Sequence, residues 1–204
     1  FSDILAFRRE HRYDIYDLDA DYPVPLIAKA HRREVKERVN ADGAIVTPLD
    51  EAELETLLAE LVEQGIESIA VCFLHAYANP THEQRVAAIA ADKFPNLLVS
   101  LSSRVLPEIR EYERTSTTAI NAYVRPLLGP YIDRLESRLA ECGYARQVYM
   151  MLSGGGVIAP KTATEFPVRM VESGPVGGAL AAAHLGKLAG IEDLFIFDIG
   201  GTTA

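Results

Sequence analysis

The stretch Ser68–Leu74, SIAVCFL, constrains this chain most. It is a continuous apolar run rich in β-branched residues, and it lies between two segments of helical pattern. It therefore predicts a strand buried on both faces. The helical segment before it runs from Asp50 to Gln64, with Leu54, Leu57, Leu58 and Leu61 on one face. Asp50 stands at the cap position, Glu53 lies three residues on as a capping box requires, and Gly65 stops the helix. The segment after it opens at Asn79-Pro80-Thr81, turns Val86, Ile89 and Ala90 inward, and ends at Pro95. Leu97–Leu101 is the next short strand. Strand, helix, strand in this order is a βαβ unit, so the fold class is α/β with a parallel sheet.

The flanks are read from this unit outward. Residues 1–43 are mixed and polar, with a punctuating turn at Tyr22–Pro25. The alternation in Arg32–Arg38 predicts a strand, Asn40–Gly43 (NADG) a tight turn, and Ala44–Thr47 its hairpin partner. Residues 105–142 are helical in pattern. Pro126, Gly129 and Pro130 are expected to kink or divide that stretch. Gln147–Leu152 reads as a strand, Phe166–Val171 as an extended segment, Gly177–Leu188 as an Ala-rich helix and Leu194–Asp198 as a last strand. The organisation expected is a first α/β part over 1–104, a helical connection over 105–143, and the start of a second α/β part over 144–204.

Charge and cysteine usage narrow the function. A formal net charge of -9 and no basic stripe argue against nucleic-acid or anionic-membrane partners, which need a basic surface. Any phosphate bound here is held by backbone amides and a metal ion. Cys72 and Cys142 lack metal-ligand spacing and read as buried or incidental thiols of a reducing compartment. No apolar run reaches the length of a membrane span, and no signal peptide is visible. The expected location is the cytoplasm.

Five stretches carry chemistry. In Asp198-Ile199-Gly200-Gly201-Thr202-Thr203, paired glycines allow close approach of a phosphate. The threonines offer amides and hydroxyls, and Asp198 can hold Mg²⁺ directly or through water. The same residues also suit an ordinary β-turn. Glu172–Gly178 (ESGPVGG) precedes a helix and suits either an anion at a helix N-terminus or close packing of helix on sheet. No Lys follows its glycines, so it is not a P-loop. Ser153–Gly156 is either a ligand loop at a strand's carboxyl end or a plain linker. His75, Asn79, His82 and Glu83 offer two histidines, but no third metal ligand is obvious, and loop hydrogen bonding and helix capping is the better reading. In Glu108–Val124, Arg114 suits a carboxylate or phosphate, while a salt-bridged helix face with hydroxyl caps is the commoner use of such residues.

Taken in order, FRREHRYDIYDL, REVKERVNADG, VCFLHAYANPTHEQRV, SLSSRVLPEIREYERTSTTAINAYVRP, SGPVGG and FIFDIGGTT resemble the hydantoinase A/5-oxoprolinase family. That family includes ATP-dependent N-methylhydantoinases, 5-oxoprolinases and the ATP-using subunits of acetone-type carboxylases. The resemblance covers nearly the whole chain, and its strength lies in the run of motifs in order.

The resemblance implies a fold like that of actin, Hsp70 and the sugar kinases, with two related α/β halves and nucleotide between them. Each half contributes a hairpin of the Asp-x-Gly-Gly-Thr type. Asp198–Thr203 matches the second of these, so the chain reads as a central fragment that is inactive alone. The implied chemistry is ATP-driven opening of a cyclic amide such as hydantoin or 5-oxoproline through a phosphorylated intermediate, with ATP and Mg²⁺ as cofactors. Asp198 would hold the metal or a water. Gly200, Gly201, Thr202 and Thr203 would cradle phosphate, and Ser173 and Gly174 would line the cleft. The implied partners are a small cyclic amide and a separate B-type subunit. Apolar surface laid bare between domains would favour homo-oligomers. Two other functions fit the same motifs: the ATP-using subunit of an acetone-type carboxylase, and a non-catalytic nucleotide-binding scaffold.

Overall fold

The computed structural model describes residues 2–9, 16, 17, 19 and 23–199. The chain divides into two compact units, Phe1–Pro126 and Leu127–Ala204. Both mix helices and strands, as the α/β expectation requires.

The first unit opens with a short helix, α1 (Ile4–Phe7), and a 3-10 turn at Lys29–His31. Strands β1 (Arg38–Val39) and β2 (Ile45–Thr47) form the expected antiparallel hairpin. Its turn is organised by Asn40, whose Oδ1 accepts from Asp42 N at 3.1 Å and Ala44 N at 2.8 Å. Gly43 supplies the positive φ of 82° that the turn needs. The strand expected over Arg32–Arg38 shrinks to its last residue plus Val39. Further upstream, Arg32 is held by the Ile27 carbonyl at 2.9 and 3.0 Å instead of pairing as a strand.

Helix α2 (Glu51–Glu63) follows, with Asp50 accepting from Glu53 N at 3.1 Å. The capping box is only half made. The Glu53 carboxylate accepts from Lys36 N at 2.9 Å, which pins the segment before β1 to the helix start. Strand β3 (Ser68–Val71), helix α3 (Thr81–Lys93) and strand β4 (Leu98–Leu101) form the βαβ unit. β3 and β4 pair in parallel, from Ser68 opposite Leu98 to Val71 opposite Leu101. Of the expected inward residues, Leu54, Leu58, Val86, Ile89 and Ala90 join Val71, Leu97 and Leu101 in one buried cluster, Leu61 is buried as well, and Leu57 is only half-buried. Each large aliphatic side chain buried there contributes about 1.5–3 kcal/mol.

β3 is less buried than its composition predicts, and Ala70 is exposed. The reason is a cavity of about 890 Å³ along the strand, walled by residues that include Leu57 and Leu61 of α2 and Ala119 and Ala122. Among the described residues β3 pairs on one edge only, with β4.

After β4 come α4 (Ser102–Val105) and the long helix α5 (Glu111–Glu141). Of the two outcomes expected at Pro126, Gly129 and Pro130, division does not occur: the helical backbone of α5 continues through them. A proline in a helix forfeits one hydrogen bond and crowds the carbonyl four residues back, but its φ near −65° is itself helical.

The second unit carries a hairpin of β5 (Met150–Met151) and β6 (Val157–Ile158), then α6 (Pro160–Glu165), a 3-10 turn at Pro167–Met170, and α7 (Ser173–Ala189). The extended segment expected over Phe166–Val171 is this 3-10 turn, begun by Pro167 with its helical φ. The strand expected over Leu194–Asp198 is irregular and exposed. Among the described residues it has no strand to pair with, and its composition alone does not make a ladder.

Candidate functional site

In parallel α/β sheets ligands gather at the carboxyl ends of the strands. Here β3 and β4 end in the segments 72–80 and 102–110, and the first turns of α3 and α5 stand beside them. Four polar side chains organise this end.

Glu83, in the first turn of α3, is fully buried. Its Oε1 accepts from Phe73 N at 3.0 Å and Ser102 Oγ at 2.6 Å. Its Oε2 accepts from Ser103 N at 2.8 Å and Ser103 Oγ at 2.7 Å. One carboxylate thus ties the end of β3 to the end of β4. The buried charge is satisfied by hydrogen bonds instead of by a cation.

Arg114, also fully buried, works as a carbonyl clamp. It donates to Glu108 O at 2.6 Å and Phe73 O at 3.2 Å, and its guanidinium lies 5.4 Å from the centre of the Tyr77 ring. Among the described residues it makes no ion pair, and, being buried, it is not part of an exposed salt-bridged face. The run of hydroxyls after it turns inward: Thr118 Oγ1 returns a 2.6 Å hydrogen bond to Arg114 O. Sequence pattern gave no sign of this clamp, because its acceptors are main-chain carbonyls.

Tyr77 continues the chain of contacts. Its hydroxyl lies 3.2 Å from His75 Nδ1, and the two rings meet edge to face. His75 has φ 58°, left-handed for a residue that is not glycine. Cys72 lies beneath this layer. Burial and the nearby Glu83 charge push its thiol up to about 12, against the pull of Thr118, Thr115 and Arg114.

The two histidines of the HAYANPTHE stretch do not meet at a metal. His82 pairs with Glu37 at 2.7 Å, both side chains nearly buried, while His75 faces Tyr77. Among the described residues no group of three candidate ligands could hold a metal ion. The loop-bonding reading stands, and neither histidine caps α3: the turn leading into the helix is held by Asn79. Its Oδ1 accepts from Thr81 N at 3.1 Å and Thr81 Oγ1 at 2.6 Å, and its Nδ2 reaches Gly43 O at 2.7 Å.

In the second unit, Ser153–Gly156 is neither a loose ligand loop nor a linker. It is the tight turn of the β5–β6 hairpin, closed by Leu152 N to Gly156 O at 2.8 Å, with Gly155 at φ 84°. Ser153 Oγ donates to Arg169 O at 2.9 Å, fastening the turn to the 3-10 segment. The ESGPVGG glycines lie within α7 itself, and the helix starts at Ser173 rather than near Gly177. A Cβ at Gly177 would stand 3.7 Å from Met151 Cε, an ordinary contact, so the helix faces the hairpin here without its packing depending on glycine. Ser173 and Gly174 form the first turn of α7, Gly174 exposed. Asp198 is exposed in the irregular tail. Gly200, Gly201, Thr202 and Thr203 lie outside the described residues.

Comparison with known proteins matches residues 114–204 to the hydantoinase/oxoprolinase family and residues 1–94 to the hydantoinase/oxoprolinase N-terminal region. The chain is 34% identical to caprolactamase subunit alpha of Pseudomonas jessenii, over 99% of this chain and 29% of that protein. The crystal structure of the ATP-dependent caprolactamase from that organism superimposes with a TM-score of 0.84 and 33% identity, covering 98% of this chain and 29% of that one. A nucleotide-free acetone carboxylase structure gives a TM-score of 0.69 at 30% identity, covering 83% of this chain and 24% of that one. The chain spans about 30% of the length of the first curated relatives it matches.

Proposed function

The chain belongs to the hydantoinase/oxoprolinase family, and from that premise we propose that the whole protein is an ATP-dependent hydrolase that opens a cyclic amide. The observation that carries this reading is the likeness to the ATP-dependent caprolactamase, which extends over 98% of the chain. The fold proposed for the whole protein is the actin-like one, with residues 1–104 the rear of one domain, 105–143 a helical connection and 144–204 the front of the next.

Bound ATP would supply the phosphoryl group that makes the amide carbon a better electrophile for water, and the ring would open as its C–N bond breaks and the nitrogen leaves as the amine. The residues proposed to hold it belong to this chain. The exposed Asp198 carboxylate is a hard oxygen donor of the kind Mg²⁺ takes, directly or through water. Gly200 and Gly201 would let the backbone come close to phosphate, and the hydroxyls of Thr202 and Thr203 would meet its oxygens. Ser173 and Gly174, on the first turn of α7, would add backbone N–H groups at a positive helix end. Charge neutralisation and positioning would then carry the catalysis. A B-type subunit is the proposed partner, in keeping with a relative named as subunit alpha.

The test is Asp198→Ala in the full-length protein with lactam, hydantoin and 5-oxoproline offered as substrates. Loss of ATP-dependent ring opening with an unchanged melting temperature supports the reading; unchanged turnover removes the role given to Asp198, and a parent protein that opens none of these rings removes the hydrolase reading. The acetone carboxylase likeness supports a second reading, in which the activated carbonyl is a ketone. ATP turnover stimulated by ketone and not by cyclic amide would select it.

A further inference from the structure

We propose that His75 contacts the substrate directly, as the hydrogen-bonding partner of a cyclic amide at the carboxyl end of β3. The inference rests on the reading of the whole protein as a cyclic-amide hydrolase and adds to it a residue on the first unit.

Three observations carry it. The first is the backbone. His75 has φ 58°, a conformation that costs a residue with a Cβ about 1–2 kcal/mol and that persists only where its surroundings impose it. A glycine at this position would relieve that cost, and the chain carries histidine.

The second is the ring. Nδ1 is engaged by the Tyr77 hydroxyl at 3.2 Å, which fixes the plane of the imidazole. Nε2 makes no hydrogen bond among the described residues, and the side chain is only half-buried. One nitrogen is therefore held and the other is presented. Where Tyr77 donates to Nδ1, the neutral ring carries hydrogen on Nε2 and suits a carbonyl oxygen. Where Nδ1–H donates to Tyr77, Nε2 accepts and suits an amide N–H. A cyclic amide offers both groups side by side on one edge, so either tautomer has a partner on it.

The third is the support. Tyr77 stacks on Arg114, which is fixed by Glu108 O and Phe73 O, and Phe73 N is fixed in turn by the buried Glu83. A polar array of this depth holds the imidazole rigidly at the strand end, where parallel sheets receive ligands. Nothing in the hairpin or the turn leading into α3 requires the Nε2 atom that it presents.

The test uses the full-length protein. His75→Gly removes the ring and relieves the backbone, and His75→Asn keeps a residue that tolerates left-handed φ while removing Nε2. A structural role predicts that the glycine variant keeps its turnover. The proposed role predicts that both variants keep or raise the melting temperature while kcat/KM for the cyclic amide falls by roughly tenfold to a hundredfold, the loss expected for one substrate hydrogen bond. Fluorescent ADP binding should stay unchanged. In parallel, carbethoxylation of His75 is followed by mass spectrometry with and without saturating caprolactam, hydantoin or 5-oxoproline in the presence of MgADP. This second measurement needs no turnover. A protein that opens none of these rings would refute the hydrolase reading, while protection of His75 would still support the contact. Equal labelling with and without every one of the three compounds, or turnover of His75→Gly within about threefold of the parent, overturns it.

Discussion

Glu83 Oε1 accepts a 2.6 Å hydrogen bond from Ser102 Oγ, and neither residue has any exposed surface. The bond joins the helix that crosses between β3 and β4 to the segment that leaves β4. Phe73 N and both Ser103 groups converge on the same carboxylate. Replacing Glu83 by Gln sets an NH₂ group against donors. Hydroxyls rotate to accept from it, but Phe73 N or Ser103 N is then left facing a donor. The expected cost is about 1–3 kcal/mol, the desolvation penalty of one orphaned group, and Glu83→Ala should cost more because all four donors lose their acceptor. Urea denaturation followed by circular dichroism checks both. A Glu83→Ala midpoint equal to that of the parent would show that the strand ends do not depend on this carboxylate.

Asp50 accepts from Glu53 N at 3.1 Å and caps α2, the helix that brings Leu54, Leu58 and Leu61 to the core. Asp50→Ala should lower stability by about 1 kcal/mol, and Asp50→Asn or Asp50→Ser should restore most of it. Glu53→Ala removes a different contact, the acceptor for Lys36 N, and so should loosen the segment before β1 rather than the helix start. Amide exchange at Lys36 and at Glu53 separates the two effects.

The βαβ unit was legible in sequence because it obeys local rules: a cap at Asp50, stops at Gly65 and Pro95, and leucines at helical spacing. The Asn40–Gly43 turn was legible for the same reason. What escaped was long-range. Arg114 reads as a surface charge until Phe73 O and Glu108 O, far apart in sequence, are seen to converge on it. Ser102 and Ser103 give no signal at all, since nothing local says that a carboxylate twenty residues earlier needs their hydroxyls. Pro126 and Pro130 could be read as a kink or as a break, and local pattern does not choose between them: α5 runs on through both, at the loss of a hydrogen bond and some crowding at each. Leu194–Asp198 misled because apolar composition marks a strand only when another strand is there to pair.

Gly43 closes the β1–β2 turn at φ 82°. A Cβ built there would lie 3.5 Å from Ala78 O, an ordinary contact, so the cost of Gly43→Ala comes from the backbone and not from a clash. About 1–2 kcal/mol is expected. Gly43→Asn should cost less, since asparagine tolerates left-handed φ. Because Gly43 O also accepts from Asn79 Nδ2 at 2.7 Å, a shifted turn should disturb the turn leading into α3 as well. Unfolding midpoints give the ranking, and an alanine variant as stable as the parent would show that the turn is free to adopt another conformation.

Cys72 and Cys142 should differ in reactivity. Burial and the Glu83 charge push the Cys72 thiol from the ordinary 9.0 up to about 12, while Cys142 is exposed. At pH 8 a thiol reagent should therefore label Cys142 in the folded chain much faster than the half-buried Cys72, whose thiol reacts at the ordinary rate only once the chain is unfolded. The same shift fixes a dependence of stability on pH. Between 9.0 and about 12 the unfolded chain has lost the Cys72 proton and the folded chain still holds it, so the folded state binds more protons and stability falls as pH rises through this window. Below 9.0 both states are protonated and Cys72 contributes no slope. Cys72→Ala should flatten the alkaline fall in unfolding free energy without changing the curve near neutrality. Rapid labelling of Cys72 in the native chain at pH 8 would mean that the thiol is neither as buried nor as close to Glu83 as the fold places it.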